Sequence, residues 1–378
     1  MPAQATIANP QRSGETGRES RSLLKRVLHI LRLVVANFIV FGVAAELASI
    51  FLVHLKKWPS TRPTYHLTYE HFWTDTNPAF GIWHPANGHF LREEGCSSWE
   101  YSTNSYGARD VERNRRSNLP RTVVLGDSFI DGYGVHDNDR LTNILEHRTG
   151  VEHLNFGTGG GFSPLQYALV YRTLASAFDH DRVLVSVLPD NDFHEMDKTW
   201  LERSYPGQYR PYYKDDLSIG YVGTYHAPES NGPGERIEAV LRAYLASYHV
   251  GQYLAIAHFT KFHTYSGYND FSDVDLTRLE TALLDIKKTA DDRGAKVYVI
   301  LVPRPNDFQR ARQGSNRLGP ELARWGAAHA ISVKDLLPEM VARTRGDYRP
   351  LFLPCDDHWS PHGAQVTADI VQSWMYGK

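Results

Sequence analysis

Five short apolar runs limit what this chain can fold into. Thr122–Leu125, His153–Phe156, Val183–Leu188, Val297–Val302 and a weaker Ala330–Val333 are each four to six residues long. That is the length of a buried strand, too short for a core helix. Helical patterns fill the intervals. Ser163-Pro164 reads as the N-cap and first residue of a helix through Leu165, Ala168, Leu169 and Leu174. Leu276, Leu279, Leu283 and Ile286 keep helical spacing up to Gly294, and Ser360-Pro361 opens a last helix through Val366, Ile370, Val371 and Trp374. Strands alternating with helices predict a parallel sheet with both faces covered by right-handed crossovers. One long stretch, Phe193 to Ser272, rich in Tyr and Pro, breaks the alternation after the third strand and reads as an insert.

The segment before the first strand has another character. LVVANFIVFGVAAELASIFLV, Leu33 to Val53, is apolar apart from Glu46 and long enough to cross a bilayer. Arg12, Arg18, Arg21, Lys25, Arg26 and Arg32 precede it, so the positive-inside tendency predicts a single span with its N-terminus in the cytoplasm. Lys56 and Lys57 on the far side weaken that asymmetry. A carboxylate at mid-bilayer costs about 2.5–3.5 kcal/mol, which favours a span shifted toward Val27–Ala45 with Glu46 at the outer interface. A cleaved signal peptide, with Leu33 to Val43 as its apolar region, is the competing reading, and a buried helix of a soluble protein is a third. The expected organisation is a disordered basic cytoplasmic tail (1–26), a transmembrane anchor (27–55), a linker and aromatic-rich approach segment (56–120), and a folded domain (121–378) with its insert at about 193–272. Both exported readings place the domain outside the cytoplasm, the anchored one on the inner membrane.

Composition excludes some partners. A formal net charge of −2 offers no basic footprint for nucleic acid. The two cysteines, Cys96 and Cys355, stand far apart with no CxxC partner, so they are either two free thiols or one disulfide. In an exported domain, pairing is the expectation.

Chemistry is suggested where the first run ends, in VVLGDSFIDGYGV, Val123 to Val135. Ser128 falls at a strand's carboxyl end, the edge at which open α/β sheets bind ligands, and is a candidate nucleophile. A serine nucleophile needs a base, an orienter for that base and oxyanion donors. Other strand ends supply them. NFGTGGGFS, Asn155 to Ser163, follows the second strand with exposed backbone N–H groups; LPDNDF, Leu188 to Phe193, follows the third with the Asn191 amide; CDDHWSPHG, Cys355 to Gly363, brings His358 beside two carboxylates.

With these four blocks in order, the chain resembles the SGNH (GDSL) hydrolase family over roughly Thr103 to Lys378. TNSYGARD, Thr103 to Asp110, is similar to the lead-in of its membrane-anchored bacterial members. The resemblance implies a flavodoxin-like three-layer α/β/α fold with a five-stranded parallel sheet, and ester chemistry on acyl groups without a cofactor. It makes Ser128 the nucleophile, His358 the base, and the Ser128 N–H, the Gly160 N–H and Asn191 the oxyanion hole. Gly161 lengthens the glycine block, so the choice between Gly160 and Gly161 is one of register. The family's usual acid position, three residues before the histidine, holds Cys355. Asp356 or Asp357 must serve instead, and DDHW looks like the Asp-x-His-Trp form of alginate acetylation proteins. Adjacent residues of an extended segment point opposite ways, which puts Asp356 on the His358 side and Asp357 away.

Water as acyl acceptor makes such a site an esterase; a sugar hydroxyl makes it an O-acyltransferase, for which a membrane acyl-donor protein is an expected partner. Acylated small molecules or glycans of the cell envelope are the expected substrates. The rival is a membrane-tethered glycan-binding or assembly protein that has lost turnover. Three other features have simpler readings. His362 suggests an HxxxH metal pair, but Pro361 interrupts it and no third ligand is evident. Asp131 reads as a loop or cap residue. Tyr205, Tyr209, Tyr212 and Tyr213 could stack on sugars, though packing of a Pro-rich loop accounts for them as well.

Overall fold

The computed structural model describes residues 13–55, 63, 65, 67, 75–94, 97–225, 233–259, 265–353 and 357–377. The five apolar runs form one parallel sheet: β1 Arg121–Gly126, β2 Glu152–Gly157, β3 Arg182–Val187, β4 Lys296–Leu301 and β5 Ser332–Asp335, in spatial order β5-β4-β3-β1-β2. This is the flavodoxin-like order. Every residue of β1 is buried, as expected of a central strand covered on both faces. The fifth strand starts later than its apolar pattern suggests, because Ala330 adopts a left-handed conformation (φ 55°) and the Ile331 N–H turns back to the Gly326 carbonyl.

The principal helices, in chain order, are α1 Ser13–His54, α2 Leu141–Thr149, α3 Pro164–Thr173, α4 Pro233–Tyr244, α5 Ala246–Phe259, α6 Asp273–Asp291, α7 Leu318–Ala328 and α8 Pro361–Tyr376. Capping follows the sequence signals. Ser163 and Gln166 form a capping box at α3, and the Ser360 hydroxyl accepts the Gly363 N–H at α8. The α3 helix packs on α6, and α2 on α8. The chain steps from β1 to β2 in one direction and returns past β1 to β3. Right-handed crossovers then put the connections leaving β1 and β3 on opposite faces, opening a crevice between the carboxyl ends of these two strands.

The first helix already begins at Ser13, so much of the basic stretch expected to be disordered is helical; its Arg, Glu, Lys and Leu residues are good helix formers and extend the apolar helix backward. Residues 24–53 of α1 are apolar and long enough to cross a membrane. The segment ahead of β1 is built into the domain. Two antiparallel ribbons, Asp75–Asn77 with Gly81–Trp83 and His89–Glu94 with Ser97–Ser102, occupy it, and Phe80, Trp83 and Ala108 join the main core. The insert holds a third ribbon, Arg210–Tyr213 with Ile219–Val222, followed by α4 and α5.

Candidate active site

The crevice between β1 and β3 receives Ser128. β1 ends at Gly126, and Asp127 caps a single helical turn, Ser128–Asp131, by accepting the Phe129 N–H at 3.0 Å. Gly132 (φ 83°) closes the turn. A side chain at Gly126 or Gly157 would run into Ile130, so both strand-end glycines are needed for the turn to sit this close to the sheet.

His358 arrives from the far end of the chain. Phe352 and Trp359 pair as an antiparallel bridge, the Leu353 N–H donates to the His358 carbonyl at 2.9 Å, and the Ser360 N–H donates to the Leu351 carbonyl at 2.9 Å. This loop end, held against the start of α8, sets His358 Nε2 2.7 Å from Ser128 Oγ. The Phe129 and Tyr133 rings, one helical turn apart, pack on the imidazole with centroids at 5.0 and 4.4 Å. The serine turn thus also builds the seat of the histidine.

Of the two candidate acids, Asp357 is exposed and reaches Arg304 (Nη2–Oδ2 3.5 Å). Asp356 lies outside the described residues, as do Cys96 and Cys355. Arg304, just past β4, also stands 3.9 Å from Asp190 and over the Phe129 ring.

Asn191 lies in the helical turn Pro189–Asp192 that follows β3, and its Nδ2 donates to Glu195 Oε1 at 3.2 Å. An amide nitrogen carries two hydrogens, so one remains for a ligand. Gly160 and Gly161 both have positive φ (77° and 79°), and their carbonyls accept from the Arg210 guanidinium. Arg210, buried, lies over the Tyr205 ring at 3.7 Å. A side chain at Gly161 would strike that same ring. The insert therefore fixes the peptide planes of the glycine block.

Three buried carboxyls sit beneath this edge. Burial is the largest influence on each, raising Asp127, raising Asp192 well above the ordinary range, and pushing Glu195 up to about 7. The Arg210 charge pulls Glu195 down, and Asp127 pushes it up. Asp192 accepts the Tyr167 hydroxyl at 2.9 Å and the Leu188 N–H at 2.8 Å.

Asp131, read as a loop or cap residue, instead ends the helical turn Ser128–Asp131, where it is buried and accepts the Tyr101 hydroxyl. Beside it, burial holds His84 down at about 3, hence neutral; its Nδ1 donates to the Gly107 carbonyl at 2.9 Å, and Nε2 accepts from Thr158. Arg109 adds hydrogen bonds to the Asp131 and Val135 carbonyls at 2.9 Å each. The approach segment thereby buttresses the serine turn. Three of the four tyrosines pack on neighbours. Tyr213 is buried, Tyr205 underlies Arg210, and Tyr209 stacks on Tyr221 with centroids at 4.8 Å. His362 is exposed on the first turn of α8, and among the described residues no group of three His, Cys, Asp or Glu side chains is placed to hold a metal.

Glu195, Arg210, Arg304 and the aromatic pair went unnoticed in sequence. Only Phe129 and Tyr133 carried a signal, their four-residue spacing beside the serine.

Residues 263–377 match the family described as SGNH hydrolase-like domain, acetyltransferase AlgX. That stretch includes His358 but neither Ser128 nor Asn191. No curated protein matches the chain closely enough to count as a relative. Similar solved structures include a GDSL-like lipase from Bacteroides thetaiotaomicron (11% identity, TM-score 0.38, 70% of this chain and 92% of that one). Another is a lipase/acylhydrolase from Enterococcus faecalis (13%, 0.37, 68% and 96%). A third is a member of the lipolytic G-D-S-L family from Veillonella parvula (12%, 0.35, 68% and 97%). Likenesses this distant carry no argument of their own. The matched stretch, similar to an SGNH hydrolase-like domain, brings His358 to Ser128 on the carboxyl edge of a flavodoxin-like sheet.

Proposed function

We propose that this protein is a serine-dependent acyl hydrolase acting on ester-linked acyl groups, acetyl foremost, of cell-envelope or exported polysaccharide. The observation that carries the reading is the 2.7 Å contact between Ser128 Oγ and His358 Nε2 at the crevice. His358 Nε2 takes the Ser128 proton as Oγ bonds to the ester carbonyl carbon. The Ser128 N–H, the Gly160 N–H and the second hydrogen of Asn191 Nδ2 receive the oxyanion. His358 then returns the proton to the departing alkoxide, leaving acyl-Ser128. Water, deprotonated by His358, frees the acid in the second half. Asp356 orients His358 through Nδ1.

A sugar hydroxyl in place of water makes the same residues an O-acyltransferase, supplied by a membrane acyl-donor protein. The family description over residues 263–377, which names an acetyltransferase, favours keeping this second reading. Helix α1 supports a single-pass anchor, with the basic residues before it on the cytoplasmic side and the domain outside.

A fluorophosphonate probe should label the wild-type protein and not Ser128→Ala. Labelling of neither would leave the non-catalytic, glycan-binding alternative standing. Acetyl release from an acetylated glycan without any acceptor selects hydrolase; release that requires acceptor glycan selects transferase.

A further inference from the structure

A carboxylate in an apolar helix is expensive unless something satisfies it, and Glu46 of α1 has specific partners. Its two oxygens accept the Ala246 and Ser247 N–H groups at 2.7 and 2.9 Å. These belong to the first turn of α5, whose N–H groups have no partner within the helix. Ser49 and Val53, three and seven residues further on, are buried on the same face of α1. The insert is therefore docked onto the C-terminal part of the apolar helix. At 1.5 Å per residue, Ser49 and Val53 lie about 4–10 Å beyond Glu46 along the axis, the depth of a bilayer interface if the apolar span ends at Glu46.

Helix α4, which runs into α5, leaves an apolar face uncovered. Ile237, Val240 and Tyr244 are 61, 41 and 44% exposed. Their spacing of three and seven puts them on one stripe. Arg236, Glu238 and Arg242 occupy the remainder, with Arg242 paired to Glu238 at 2.6 Å. On α5, Leu254 is exposed as well, and on α1 so are Leu47 and Phe51. An amphipathic helix with cationic residues on its polar face, docked where an apolar span emerges, has the make-up of an interfacial helix.

We infer that α4 and α5 are a second membrane contact, in which α4 lies in the bilayer interface with Ile237, Val240 and Tyr244 toward the acyl chains. The occupant is lipid, because the helix pair is continuous with the span through Glu46. This rests on α1 being a membrane anchor and deepens the proposed function. The insert leaves the sheet next to Asn191 and also carries Arg210, so a membrane-bound insert holds the crevice near the surface where an envelope glycan or a membrane acyl donor would be met.

The test places a benzophenone side chain singly at positions 38, 237, 244 and 119 of the full chain, reconstituted in phosphatidylethanolamine/phosphatidylglycerol vesicles and irradiated. Phe38 is mid-span, and Leu119 is an exposed apolar residue just before β1, at the opposite edge of the sheet from the crevice. Lipid adducts by mass spectrometry are expected at 38, 237 and 244, and not at 119. Adducts at 38 with none at 237 and 244 would overturn the inference and leave the anchor intact. Chain-to-chain adducts at 237 and 244 in place of lipid would overturn it in favour of a second copy. Absence of adducts at 38 would remove the anchor and the inference together.

Discussion

Arg304 Nη2 stands 3.5 Å from Asp357 Oδ2, and that carboxylate is exposed, although Asp357 is the immediate neighbour of His358. A triad acid has to reach Nδ1 of the imidazole, because that contact sets the tautomer that leaves Nε2 as base. The acid proposed for that contact is Asp356, which the alternation in the sequence puts on the His358 side. Asp356→Asn should lower kcat by up to about four orders of magnitude, and Asp357→Asn should cost little. Steady-state ester hydrolysis by both purified variants decides it. The reverse ranking would falsify the assignment of the acid.

The nucleophile and its hole give a second test. Ser128→Ala should reduce kcat by at least about three orders of magnitude while the melting temperature holds, since residual turnover rests on binding and the oxyanion donors. Asn191→Ala should lose about 2.7–4 kcal/mol of transition-state stabilisation, mainly in kcat. An Asn191→Ala defect confined to KM means that the amide contacts only the ground state.

What could be read ahead of the structure was local. The strand runs, the Ser163-Pro164 and Ser360-Pro361 helix starts and the serine after β1 each depend on neighbours within a few residues, so pattern and capping chemistry reveal them. Other features depend on partners far along the chain. Arg210 braces Gly160 and Gly161 from about fifty residues away, and Glu46, which looked like a pure penalty in the apolar run, meets its donors two hundred residues later. Arg304 reads as an ordinary surface arginine until the fold brings Asp190, Asp357 and Phe129 around it. The fifth strand slipped because the left-handed bend at Ala330 leaves no mark in an apolar pattern.

The thiols provide a third expectation. An oxidising compartment outside the cytoplasm favours a Cys96–Cys355 disulfide, fastening the approach segment to the loop that carries His358. Thiol titration of the denatured, unreduced protein from the exported fraction should find none. Two titratable thiols would exclude the bond.

The last expectation concerns pH. Burial pushes Glu195 up to about 7, so at neutral pH and below it is substantially a neutral carboxyl beside the Asn191 amide. Ionisation above that places a negative charge next to the amide hydrogen that would meet a developing oxyanion, and the two charges oppose each other at short range. The rate should therefore fall through an alkaline limb with an apparent pKa near 7. Stability follows the same sign. The native state binds this proton more tightly than the unfolded chain, whose carboxyl has its ordinary value of 4.5. The stabilisation is thus complete below about 4.5, declines as pH rises toward about 7 and is flat beyond, a change on the order of 3 kcal/mol. Glu195→Gln keeps a carbonyl oxygen for Asn191 Nδ2 and removes the titration. It should abolish the alkaline limb of kcat and flatten the melting temperature between pH 5 and 8. If the variant keeps the wild-type limb, another group titrates there and Glu195 does not govern the hole.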